Sequence, residues 1–306
     1  MAIVKPCATS QAPKNTGLDC SVAMSAAAMI IMMPDTAKWS ASDETDFLAY
    51  IQTQMHAVAN QRWFPLFGNK APIRTMEDKN ESDVTVTYDD GSVAFIRNGT
   101  IGRTFMTNKG GLALAQAFLS FNGYKNYAFI EIDKFNRVNR MDNGDGTFSG
   151  FPLNVNYAPL PQQATLKTEF MPAFYVNYRV EDYIGKGNIG SSDQNLLDLM
   201  GLINVEITQA AAATTTKLKI GVRTIGTQKS IVSSALADVT AFSIAKAGAP
   251  ITPSAAAVVS GYIELTIPTA TAGDVYVVSA AAASVWKGLA VEGYEGTKSV
   301  SITIPS

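Results

Sequence analysis

"VTVTYDDGSVAFIRNGTIGRTFMT", Val84 to Thr107, alternates polar and apolar residues through most of its length. A side-chain period of two belongs to an extended strand, whose successive side chains point to opposite faces. Asp89-Asp90-Gly91 and Asn98-Gly99 interrupt the pattern with residues that supply the positive φ of tight turns. The stretch therefore reads as consecutive antiparallel strands, "VTVTY", "SVAFIR" and "TIGRTFMT", and sets the expectation of a mainly β chain.

The same period recurs downstream. In "YAFIEID" (Tyr127–Asp133) Ala128, Ile130 and Ile132 share a face. In "FPLNVNY" Phe151, Leu153, Val155 and Tyr157 do so, opposite Asn154 and Asn156. In "FYVNYRV" Phe174, Val176, Tyr178 and Val180 point inward, and Tyr175, Asn177 and Arg179 outward. Two helices are expected beside these strands. "KWSASDETDFLAYIQTQMHAVANQ" begins with a capping-box pair, Ser40 and Asp43, and carries Phe47, Leu48, Ile51, Met55 and Val58 on one face. "GGLALAQAFLSF" follows Asn108 as its cap and puts Leu112, Ala115, Phe118 and Leu119 on one side. The apolar "AMSAAAMIIMMP" (Ala23–Pro34) reads as a buried strand or the end of an arm.

Three regions follow. Residues 1–21, rich in Thr, Ser, Pro and Lys, read as an extended arm. Residues 22–205 read as an antiparallel β-sandwich or barrel with flanking helices. Residues 206–306 are poor in aromatics and place short strands at "KLKIGVRT", "VTAFSIA", "GYIELTIP", "DVYVVSA" and "KSVSITIP", the spacing of an Ig-like β-sandwich. Trp286 is expected in its core or between its sheets.

Composition narrows the function. With 306 residues, 47% hydrophobic and 16% charged, the chain has ample material for packed cores. A net charge of −2 gives no reason to expect duplex nucleic acid as the main ligand. So low a charge density favours a surface buried in an assembly. There is no apolar run of about 18 residues, so no membrane span is expected, nor is a secretory signal. Cys7 and Cys20 could bridge a loop, but without secretory context a reduced pair is expected.

Four stretches invite a chemical reading. "RVNRMDNGDGTFSGF" (Arg137–Phe151) resembles a calcium loop, which needs oxygen ligands at its first, third and fifth positions, glycine at the sixth and glutamate at the twelfth. With Gly146 sixth, the first position is Met141 and the twelfth Pro152. The stretch is then a hairpin tip, with a looser calcium site left open. His56, the single histidine, lacks a nucleophile motif and reads as a helix-surface or interface residue. "TNKGGLALAQ" and "GKGNIG" lack phosphate-loop and dinucleotide spacing. The acid pairs Asp89–Asp90 and Glu181–Asp182 sit at strand ends or turns, where acids are ordinary. No catalytic residue, metal or cofactor is expected.

The order of parts carries a resemblance. An arm, a capped helix running into "RWFPLF", the hairpin "VTVTYDDGSVAFIRNG", the glycine-led "KGGLALAQAFLSFNGYKNYAFIEIDKFNRV", and "DGTFSGFPLNVNYAP" leading to "FYVNYRVEDY" resemble virion proteins of tailed phages. The likeness is greatest to tail-tube and tail-collar ring proteins, some of which carry a C-terminal Ig-like domain. It implies subunits that close into a homo-oligomeric ring, hexameric for tubes and dodecameric for collars, in a virion tail assembled in the host cytoplasm. Its partners would be copies of itself, other tail or collar proteins, and DNA passing through the channel without sequence-specific binding. No catalytic residue is implied.

On that expectation the assembly contacts fall on the arm, on Arg137, Arg140, Asp142 and Asp145 of the hairpin over 137–150, and on the turn at Asp89 and Asp90. Shortening 139–147 to a two-residue turn is expected to spare the fold and impair assembly. Thr85, Thr87, Asn154, Asn156 and Asn177 are candidates to line a channel. The alternative is an adhesin-like module whose Ig-like domain contacts carbohydrate or a host surface.

Overall fold

The computed structural model describes residues 4–7, 24–57, 60–123, 126–199, 201–225, 227–281 and 294–305. The fold is mainly β and divides into two compact units between Gly201 and Leu202. Trp286 and Cys20 lie outside the described residues.

The strands of the first unit are β1 (Val4–Cys7), β2 (Ala27–Pro34), β3 (Lys38–Ser40), β4 (Phe64–Phe67), β5 (Thr75–Asp78), β6 (Val84–Thr87), β7 (Val93–Arg97) and β8 (Thr100–Met106). They continue with β9 (Tyr127–Asp133), β10 (Arg137–Asp142), β11 (Thr147–Ser149), β12 (Phe151–Tyr157), β13 (Ala173–Arg179) and β14 (Gly187–Ser191). Three α-helices accompany them: α1 (Phe47–Met55), α2 (Gly111–Leu119) and α3 (Val180–Gly185). All of these strands except β6 and β7 belong to one curled antiparallel sheet, whose main path runs β1-β14-β10-β9-β12-β13-β8-β5.

The apolar run before Pro34 becomes β2, paired with β4 on one edge and β9 on the other. Met29 to Met33 are fully buried, which suits a strand covered on both faces better than an alternating one. β9 behaves alike. Ala128 to Asp133 are all buried, so the face of Phe129, Glu131 and Asp133 is internal as well as that of Ala128, Ile130 and Ile132. Asp133 is held there by the N–H groups of Ser25, Phe135 and Arg137 and by the Arg137 guanidinium at 2.6 Å.

The first helix starts later than its sequence suggests. Lys38–Ser40 pairs with β11 as a strand, and Asp43–Asp46 forms a 3-10 turn before α1. Asp43 accepts the Ser40 N–H, half of the expected capping box, while Asp46 caps α1 through the Ala49 N–H. Phe47, Ile51 and Met55 are buried as expected, with Phe47 part of an aromatic cluster around Trp39 and Trp63. α2 differs more. Only Ala115 and Phe118 are buried, Leu112 and Leu119 face solvent, and Gly110 in the left-handed conformation occupies the cap position assigned to Asn108.

β13 follows its pattern with Phe174, Val176 and Tyr178 inside and Arg179 outside, but Asn177, expected outside, is buried, and Val180, expected inside, begins α3. β12 does not, because its pairing with β13 shifts register between Leu153 and Val155. An extra residue there reverses the faces beyond it. Val155 and Tyr157 therefore point out, and Asn156 turns in to donate to the Phe121 carbonyl.

The second unit comprises β15 (Ile203–Gln209), β16 (Lys217–Thr224), β17 (Phe242–Lys246), β18 (Ala249–Ile251), β19 (Ala255–Val259), β20 (Tyr262–Thr266), β21 (Val275–Ala280), β22 (Tyr294–Lys298) and β23 (Val300–Thr303). One sheet has the order β19-β20-β16-β15-β22 and the other β18-β17-β21-β23. With β22 set aside as an extra strand that pairs parallel with β15, lettering along the chain from β15 puts D, E, B and A in the first sheet and C′, C, F and G in the second, the distribution of an immunoglobulin-like sandwich. Val205, Leu218, Ile220, Ile263 and Leu265 from one sheet share a core with Phe242, Ile244, Tyr276, Val278 and Ile302 from the other.

Candidate assembly surface

β6 and β7 pair only with each other. They nevertheless extend a ladder that begins inside the sheet. β5 pairs with β8 from Thr75↔Met106 to Asp78↔Arg103, then Lys79 N–H bonds to Gly102 O and Glu81 N–H to Thr100 O. Beyond Thr100 the Gly99 N–H donates to Asp83 Oδ1, and Val84↔Arg97 resumes the pairing. Residues 75–87 and 93–106 are thus the two arms of one long ribbon whose tip is Asp89–Gly91.

Asn98-Gly99 is not a hairpin turn, which corrects the expectation for that dipeptide. It lies midway along one arm, where the ribbon leaves the sheet. The backbones approach so closely at Gly99 that a Cβ there would lie 1.9 Å from the Glu81 carbonyl oxygen.

The projecting part is apolar on both sides. Val86 faces the same way as its partner Ala94, and Val93 and Phe95 lie on the opposite face with Thr85 and Thr87. Tyr88, Val93, Phe95 and Ile96 are 55–62% exposed. A two-stranded ribbon is marginal in water by itself, and this one has no described residue packed over its apolar side chains to the point of burial. Its tip is acidic: Asp89 and Asp90 are exposed, and Ser92 donates to Asp90 through both its hydroxyl and its N–H, lowering that carboxyl below the usual range.

The other expected contact residues are placed differently from one another. Arg140 is 0% exposed. Its Nη2 donates to Glu44 Oε2 at 3.0 Å, its Nε lies 2.7 Å from Oε1, and its guanidinium stacks 4.3 Å from the Phe148 ring centre. Burial pushes its pKa down against the pull of Glu44 and Asp142. Arg140 therefore braces β10 against the turn before α1, inside the subunit. Arg137 is mostly buried and bonded to Asp133. The loop itself is short, since β10 runs to Asp142 and β11 starts at Thr147. Asp142 accepts the Gly144 N–H, and Asp145 accepts from Thr147, which lowers its pKa, with Lys38 3.7 Å away. Trimming 139–147 would remove Arg140 and most of β10, the strand paired with β14, so the expectation that it spares the fold is withdrawn. Asp145 and the tip acids Asp89 and Asp90 remain surface groups, at separate places in the unit.

Of the candidate channel residues, Asn154 donates to Asn177, which donates to Thr100 and is itself buried, and Asn156 faces inward. Glu181 accepts from Asn98, which holds its pKa low and ties the ribbon's root to α3. His56 is the C-cap of α1. The exposed apolar ribbon was missed as the main surface feature because alternation alone does not say whether either face is covered.

No family model matches the chain and no curated protein matches it. Among solved structures, it has a weak match to the full Ig1–Ig3 ectodomain of mouse nectin-like molecule 4, at 11% identity and a TM-score of 0.18, covering 79% of this chain and 72% of that one. A score that low carries no argument about this protein, and none of the comparisons identifies a tail protein.

Proposed function

We propose that the protein is a structural virion subunit that self-assembles into a ring or stacked tube, forming the tail conduit of a tailed phage, with its immunoglobulin-type unit as a decoration. One observation carries the self-assembly: the ribbon over 84–97 presents exposed apolar side chains on both faces, the mark of a surface that another protein covers. The virion setting rests on the order of segments in the sequence. Of the candidates for a channel lining, Asn154 is exposed and uncharged, which suits a surface that does not hold DNA back.

Purified full-length protein should form rings or stacks in negative-stain micrographs, and V86S/F95S should remain monomeric with an unchanged melting temperature. A wild-type protein that stays monomeric at high concentration, or a virion with no ring containing it, overturns the reading. The adhesin-like alternative draws on the strand order of the second unit. Glycan binding by a strictly monomeric full-length protein would favour it.

A further inference from the structure

The two ends of β8 carry unlike exposed surfaces. The ribbon leaves at Thr100, with an acidic tip and apolar sides. At the other end, Met106 pairs with Ala173, Thr107 N–H bonds to Pro172 O, and the chain passes through Lys109 into α2. There α2 turns Leu112 and Leu119 outward, and the loop 158–172 holds Leu160 and Leu166 almost wholly in solvent. That loop is pinned. Gln162 and Met171 exchange both backbone hydrogen bonds, Thr165 N–H bonds to Thr168 O, and Asn108 donates to Glu169. Asn122 Oδ1 accepts the Ala158 N–H, fastening the loop to the far end of α2. Lys109 and Lys167 are exposed within the same patch.

We infer that the partner of the ribbon is the α2 and 158–172 patch of a second copy of this chain, so that subunits associate head to tail along the direction of β8. The inference rests on the self-assembly reading and adds its geometry. Both surfaces are apolar, and their charge balances are opposite: Asp89 and Asp90 outnumber Arg97 on the ribbon, and Lys109 and Lys167 outnumber Glu169 on the patch. A symmetric contact with its two-fold axis at the ribbon tip would set Asp89 and Asp90 against their own copies, and one with its axis at Lys109 and Lys167 would oppose those lysines likewise. Two unlike patches beyond opposite ends of a seven-residue strand about 20 Å long make a heterologous contact, which builds a ring or a stack instead of a closed dimer.

The test uses full-length protein in sedimentation velocity at low salt, where charge pairing is least screened. Wild type should form species larger than dimers. D89K/D90K alone and K109E/K167E alone should each raise the dissociation constant by more than about tenfold. An equimolar mixture of the two should restore assembly, because each then meets its complement. A monomeric wild type overturns self-assembly and this inference together. If wild type assembles and the reversals have no effect, or the mixture of two folded variants stays dissociated, the head-to-tail pairing is overturned while self-assembly stands. Should a reversal variant not fold, D89N/D90N and K109Q/K167Q replace the set. Each should then weaken assembly several-fold, and an unchanged constant overturns the pairing.

Discussion

Arg140 shows how far a charged residue's role depends on what surrounds it. In sequence it stands beside Asp142 and Asp145 and looks like part of a mixed-charge loop; in the fold it is enclosed by Glu44 and Phe148. Glu44 also accepts from Trp39 Nε1 at 2.9 Å, so one carboxylate joins the turn before α1 to β10 and to the tryptophan cluster. Removing one member of a buried pair leaves the other without compensation, at a cost of about 3–5 kcal/mol. R140M should lose that much in urea unfolding, and E44Q/R140M should recover a good part of it. A loss below about 1 kcal/mol for R140M would show that water already reaches the pair.

At the scale of elements, the informative departures are those in which pairing partners overrode a local pattern. Asn98-Gly99 has the composition of a turn, yet the chain continues through it from one ladder to the next, because Glu81 pairs with Thr100 on one side and Val84 with Arg97 on the other. Gly99 is required there by the close backbone approach, since any side chain meets the Glu81 carbonyl. G99A should cost about 1–3 kcal/mol, and should speed amide exchange at Lys79 and Glu81 more than at residues in β2. Equal protection at those amides would mean that the ribbon's root absorbs the methyl group without opening. In β12 the alternation is correct up to Leu153 and inverted after it, because the bulge adds one residue to a strand whose side chains repeat every two. The strands themselves were legible from periodicity; the bulge had no signal in the sequence. α2 was legible as a helix, but which of its leucines would be covered depended on whether another element came to lie over them.

At the scale of the whole molecule, each unit encloses its own apolar cluster. Phe105, Phe118, Phe129 and Phe174 lie in the first, and Val205, Leu218, Ile263 and Val278 in the second. Two separate cores predict two calorimetric transitions. F174A should lower one of them and L265A the other, each by the several degrees that a core truncation brings. A single transition moved equally by both substitutions would show that the units unfold as one.

The sequence by itself determined that the chain is mainly β, where most strands lie, and that Phe174, Val176 and Tyr178 of β13 face inward. Periodicity and apolar runs are local properties that survive without knowledge of partners. Only the tertiary structure decided that Arg140 is internal, that β12 reverses its faces, and that the ribbon over 84–97 stands uncovered on both sides. Burial and register are relations between distant segments: Glu44 with Arg140, β12 with β13, and for the ribbon the absence of any described residue that buries it. A pattern of alternation states which side chains share a face, and only the assembled fold states what that face meets.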